Sequence, residues 1–120
     1  MRYLMLLSGT NPATPPPPAL YEAIMKLGEE ATSAGVLLDT AGLLPSQAGA
    51  RVTLAAGKVT VTDGPFTESK ELISYTLYDL RSRDEAIEWA SRFVRLHRDL
   101  WPGWQGQTDI LQVMGPDNGG

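Results

Sequence analysis

Residues 2–8 constrain the fold more than any other stretch, because read as extended chain they put apolar side chains on both faces. Leu4 and Leu6 fall on one face, Tyr3, Met5 and Leu7 on the other. A strand that is apolar on both sides belongs inside a sheet, with a strand along each edge and cover above and below. The apolar run 4–7 behind Arg2 is too short for the core of a secretory signal and is followed by prolines, not by a small-residue cleavage site. The expectation is therefore a central first strand. Residues 9–18 hold five prolines, four of them consecutive at Pro15–Pro18. A backbone so poor in N–H donors cannot join a ladder, so 9–18 reads as a stiff Pro-rich loop that delivers the chain to a helix.

The rest of the chain alternates between the two periods. Leu20, Ile24, Leu27, Ala31 and Ala34 recur at three- and four-residue steps, which predicts a helix over 19–34 that ends at Gly35. Residues 36–44 form an apolar run broken by Asp39 and stopped by Pro45, followed by a loop at 46–49. Segments 51–55 and 58–62 both alternate in period two and flank Ala56-Gly57, where glycine supplies the positive φ of a tight hairpin. Residues 72–80 read as a long strand with Tyr75 and Tyr78 on opposite faces. Ser82 and Glu85 make a capping box for a second helix, whose buried side is drawn by Ala86, Ile87, Ala90, Phe93, Val94 and His97. Trp101-Pro102-Gly103-Trp104 closes that helix, 108–114 supplies a last strand, and 115–120 reads as a flexible tail.

The order that results is a single α+β domain over 1–120, a ferredoxin-like βαββαβ plan with an extra β-hairpin after its second strand. Two helices cover one face of such a sheet. The other face stays partly apolar, which predicts burial against a second copy, a homodimer.

With 120 residues the chain suits one core, and 42% hydrophobic and 20% charged residues are ordinary for a soluble globular protein. No window is apolar enough to cross a bilayer, so no membrane role is expected. The chain has no cysteine, which removes disulfides and thiolate chemistry and fits a cytoplasmic setting. A net charge of −4 disfavours a phosphate backbone, so no nucleic acid is expected as partner. With one His, no Cys and no Gly-rich phosphate loop, neither a metal nor a cofactor is expected.

Asp63 is the first candidate for acid-base chemistry, a carboxylate set beside Gly64 and Pro65 on a loop. The structural alternative weighs more: Asp63 accepting nearby backbone N–H groups, Pro65 fixing the chain direction and Phe66 plugging the core. Glu68, Lys70 and Glu71 could line a cleft, with Lys70 neutralising a substrate carboxylate. Asp39 interrupts an apolar strand, and Tyr75 is the tyrosine favoured for a pocket. His97, near the end of the second helix, reads as a packing and capping residue whose charged form the helix dipole favours. Trp101 and Trp104 suit either a pocket mouth or packing over the helix end, the second being preferred.

The run Val61-Thr62-Asp63-Gly64-Pro65-Phe66-Thr67-Glu68-Ser69-Lys70-Glu71 resembles the signature of the DGPF proteins, a branch of the YCII-related family. The resemblance continues in Met1-Arg2-Tyr3-Leu4-Met5-Leu6-Leu7, Ala34-Gly35-Val36-Leu37, Gly57-Lys58-Val59 and Glu85-Ala86-Ile87-Glu88-Trp89-Ala90, and so covers nearly the whole chain. It implies a dimeric ferredoxin-like fold of the dimeric α/β-barrel type. Because DGPF proteins are often associated with alternative sigma factors of the extracytoplasmic-function class, it also implies a regulatory protein partner of that kind. Active relatives are thought to use a His on the first helix with an Asp, but here Ile24 stands near that place, so their mechanism does not transfer. The chain also has Ile73-Ser74-Tyr75 where Gly-Gly or Gly-Phe is common, and Leu111 where many members have Arg. Two readings follow. The first is a small-molecule-binding or regulatory domain acting as a homodimer, with Gly64, Pro65, Phe66, Glu68, Lys70 and Asp39 at the ligand. The second is a lyase or isomerase with Asp63 as acid-base group and Tyr75 beside it.

Overall fold

The computed structural model describes residues 1–66 and 70–115. The chain runs β1 (Arg2–Thr10), α1 (Pro18–Ser33), β2 (Leu37–Gly42), a 3-10 turn at Ser46–Ala48, β3 (Ala50–Ala55), β4 (Lys58–Asp63), β5 (Glu71–Asp79), α2 (Arg83–Leu100) and β6 (Gln105–Gln112). The fold is α+β. Strands β2-β5-β1-β6 form one sheet, antiparallel at every pairing, and β3-β4 form a separate ribbon. The expected central position of the first strand is what the sheet has: β1 lies between β5 and β6.

Both helices lie on the face of the sheet that carries Tyr3, Met5 and Leu7. One core cluster joins Tyr3, Met5 and Tyr78 to Ala31, Ala86 and Ala90; another joins Leu7 and Leu20 to Trp101 and Trp104. Small residues at Ala31, Ala86 and Ala90 let the helix backbones come close to the sheet. The ends of the helices follow from sequence chemistry. Pro18 needs no N–H at the first helical position of α1. At its other end Gly35, with φ of 75°, donates to the Thr32 carbonyl while Val36 donates to Ala31, the paired bonds of a Schellman cap. Ser82 caps α2 by accepting from the Glu85 N–H at 3.1 Å. The return half differs from the box expected, because the Glu85 carboxylate meets the N–H of Arg81.

Several expectations change in detail. β1 runs on through Gly9 and Thr10, which pair with Gly106 and Gln105, and α1 starts at Pro18, so the connection is 11–17. Ile87 is 37% exposed, because it lies to the side of the stripe that Ala86, Ala90 and His97 bury. His97 is buried, its Nδ1 is 3.0 Å from the Phe93 carbonyl oxygen, and it lies between the rings of Phe93 and Trp104. Burial pushes the imidazole below its usual pKa and overrides the dipole, so the neutral form is favoured, not the charged one. Trp101 and Trp104 are both buried at the helix end. Trp104 lies over the paired glycines Gly9 and Gly106: a Cβ would come 2.5 Å from its ring at Gly9 and 2.2 Å at Gly106. The expected tail 115–120 lies outside the described residues beyond Gly115.

The face away from the helices carries Leu4, Leu6, Tyr75, Leu77 and Leu111, by the register of β1 with β5 and β6. Nothing in the described chain forms a third layer there. The principal extents are 46 × 43 × 18 Å, and the radius of gyration is 16.2 Å. About 13.6 Å is usual for a compact domain of this length. A thin slab with a projecting ribbon accounts for both values.

Candidate functional site

A cavity of about 500 Å³ opens at one end of the sheet, between Ser8 at the end of β1, the connection from Leu43 to Gly49, and the start of β5. Phe66, Lys70 and Arg51 complete its wall. Its position follows from a short set of polar contacts. Pro45 ends the extended chain after β2, and the Ser46–Ala48 turn closes through Ala48 N–H to Pro45 carbonyl and Gly49 N–H to Ser46 carbonyl, 3.0 and 2.8 Å. The half-buried Glu71 carboxylate accepts from both the backbone N–H and the hydroxyl of Ser46, each at 2.9 Å. The same hydroxyl accepts from the Phe66 N–H at 3.1 Å. Ser46 is thus the pin that holds the β4–β5 connection against the β2–β3 connection.

Gly64 explains its place in the motif by this contact. Its N–H donates to the Gly49 carbonyl at 2.9 Å, and a Cβ there would fall 1.6 Å from the Ser46 carbonyl oxygen. Only glycine permits that approach. The Gly64–Pro65 peptide is cis, and Pro65 is exposed. Phe66, expected as a core plug, instead lines the cavity half-exposed, with the Arg51 guanidinium 4.0 Å from its ring centroid.

The sequence candidates separate into three places. Lys70 lines the cavity, and its ammonium donates to the amide oxygen of Gln107 on β6 at 3.2 Å. Asp63 stands exposed at the end of β4 and does not line the cavity, and among the described residues its carboxylate takes no hydrogen bond. Asp39 and Tyr75 meet each other across β2 and β5, the tyrosine hydroxyl donating to Asp39 at 2.7 Å. That bond holds the Tyr75 pKa above its usual value, so Tyr75 is a proton donor that stays protonated. Tyr78, on the other face, is buried against Trp89. Tyr75 lies three residues along β5 from Leu72 of the cavity, about 10 Å at the rise of a strand. Glu68 lies outside the described residues.

Ser46 and Arg51 were not among the sequence candidates. The signal for Ser46 was indirect: a glycine inside a turn motif implies a close backbone neighbour, but not which one. Among the described residues no cluster of His, Cys, Asp or Glu could hold a metal, and no helix is long and apolar enough to cross a membrane.

A comparison with curated proteins finds no match. The YCII-related domain family matches residues 1–96, the first strand through most of the second helix and including the whole cavity wall, and the chain belongs to that family.

Proposed function

We propose that the chain acts as a homodimer that binds a small amphipathic anion in the cavity beside Phe66 and Lys70. The observation that carries this reading is the composition of the wall. Leu43, Leu44, Pro45, Ala48, Phe66 and Leu72 make it mostly apolar, while Lys70 and Arg51 bring positive charge to it in a chain of net charge −4. Among the described wall residues Glu71 is the carboxylate, and it is engaged by Ser46. A volume of about 500 Å³ is within the ordinary range for small-molecule sites. An apolar body against Phe66 and the leucines, with a carboxylate at the Lys70 ammonium, satisfies both kinds of wall.

The strand order reads as the ferredoxin-like plan with the β3–β4 ribbon inserted after β2, and the apolar sheet face supports pairing with a second copy. The lyase or isomerase reading takes second place because Asp63 stands outside the cavity. The test compares 3-phenylpropionate with its uncharged amide by NMR titration. The carboxylate is expected to shift resonances of Phe66 and Lys70, the amide to shift them far less, and Lys70→Met to remove the difference. Equal responses to both probes, or shifts confined to other surfaces, would contradict the proposal.

A further inference from the structure

The β3–β4 ribbon is the part of the chain whose sequence and surroundings disagree most. Its cross-strand pairs Val52–Val61 and Leu54–Val59 put four large apolar side chains on one face, and Arg51, Thr53, Lys58, Thr60 and Thr62 on the other. The tight turn at Ala56-Gly57, with φ of 51° and 76°, sets this register without slippage. The alternation is that of a strand pair with one buried face, yet Val52, Leu54, Val59 and Val61 are 65–72% exposed. Neither strand makes extensive contact with any other element of the chain. A two-stranded hairpin is marginal on its own in water and needs cover on its apolar face.

We propose that this face docks on the open sheet face of a second copy, so that each protomer's ribbon covers its partner's sheet about a two-fold axis. This rests on the homodimer reading above and adds the element that makes the contact. Two observations favour a second copy over a different protein. The surface needed is present in the same chain: Leu4, Leu6, Leu77 and Leu111 form an apolar area facing away from both helices. The area is also sufficient. Each ribbon exposes apolar surface on the order of 400 Å², as large as the biggest patch on most monomers. Covering two ribbons and the sheet beneath them removes on the order of 1,600 Å² in all, a standard interface. One reciprocal contact thereby accounts for both uncovered apolar faces.

The test replaces Val52, Leu54, Val59 and Val61 together by Thr, which keeps strand propensity and removes the apolar face. Sedimentation velocity should show a dimer for the unaltered chain and at least a hundredfold weaker association for the variant. Thr60→Ser, on the opposite face, should leave association unchanged. Because the chain has no cysteine, Leu54→Cys accepts a single environment-sensitive fluorophore, whose emission should shift to the blue as dimers form on raising the concentration. A quadruple variant that dimerises like the parent would overturn the ribbon contact while leaving the homodimer standing. A parent chain that stays monomeric would overturn both. A blue shift that is independent of concentration would mean that the ribbon folds back on its own chain, and would also overturn the contact.

Discussion

The helix-covered body and the β3–β4 ribbon obey the same alternation but meet opposite fates. In the body Tyr3, Met5 and Leu7 alternate along β1 and all three are buried beneath α1 and α2. In the ribbon Val52, Leu54, Val59 and Val61 alternate just as regularly and all four stay exposed. Burial of an aliphatic side chain stabilises by about 1.5–3 kcal/mol, so the ribbon leaves several kcal/mol of hydrophobic contact unmade within one chain. The difference teaches that patterning records an environment: among the described residues nothing covers the ribbon's apolar face, and the proposed second copy is what would supply that cover. The cavity sits at the junction, with Ser8 and Leu72 from the body and Arg51 from the ribbon in its wall.

Substitutions can break that comparison in order of size. Gly106→Ala strikes the body, since its Cβ would fall 2.2 Å from the Trp104 ring and 2.4 Å from the Ser8 carbonyl oxygen. It should lower stability by about 3 kcal/mol or more, read by urea denaturation. A near-parental midpoint would mean that Trp104 is not wedged as described. At the junction, Glu71→Ala leaves the N–H and hydroxyl of Ser46 without their acceptor and should cost about 1–3 kcal/mol. Glu71→Gln keeps an acceptor and should recover much of that loss; identical losses for both would remove the pin from the account.

The next effect depends on pH. His97 has a folded-state pKa below the usual 6.5 of a free imidazole, because burial disfavours the imidazolium. The unfolded chain therefore takes up a proton at a higher pH than the folded one. The stability due to neutral His97 is full above pH 6.5 and falls as the pH drops below it towards the lowered folded value. Thermal melts in this window should show a smaller decline for His97→Phe than for the parent, and parallel curves would refute the assignment. The smallest effect belongs to Asp63→Asn. With no hydrogen bond to its carboxylate among the described residues, the change should shift stability by no more than about 0.5 kcal/mol and leave binding of 3-phenylpropionate intact. A large loss of either would return Asp63 to the centre of the site.

What could be read in advance depended on how local the cause was. β1 was legible as a central strand because its own residues carry apolar side chains on both faces, and Ser82, Gly35 and Gly57 each act within a few residues. The Ser46–Glu71 contact was not legible, since its partners are 25 residues apart and meet only through the course of two connections. Asp39 and Tyr75 were each singled out, but their meeting depends on the β2–β5 register, which no single strand encodes. His97 was misjudged in charge because the dipole is a property of its own helix, whereas its burial comes from Phe93 and from Trp104 beyond the helix end. Lys70, offered by the motif as one residue of a cleft, does line the cavity, while a ligand carboxylate beside it belongs to the proposal.

The central claim is that this chain is half of an assembly, and its mass in solution tests it most directly. Sedimentation equilibrium across a concentration series should give twice the 13.0 kDa of one chain. A mass of 13.0 kDa throughout the series would contradict the claim and leave both apolar faces without the cover proposed for them.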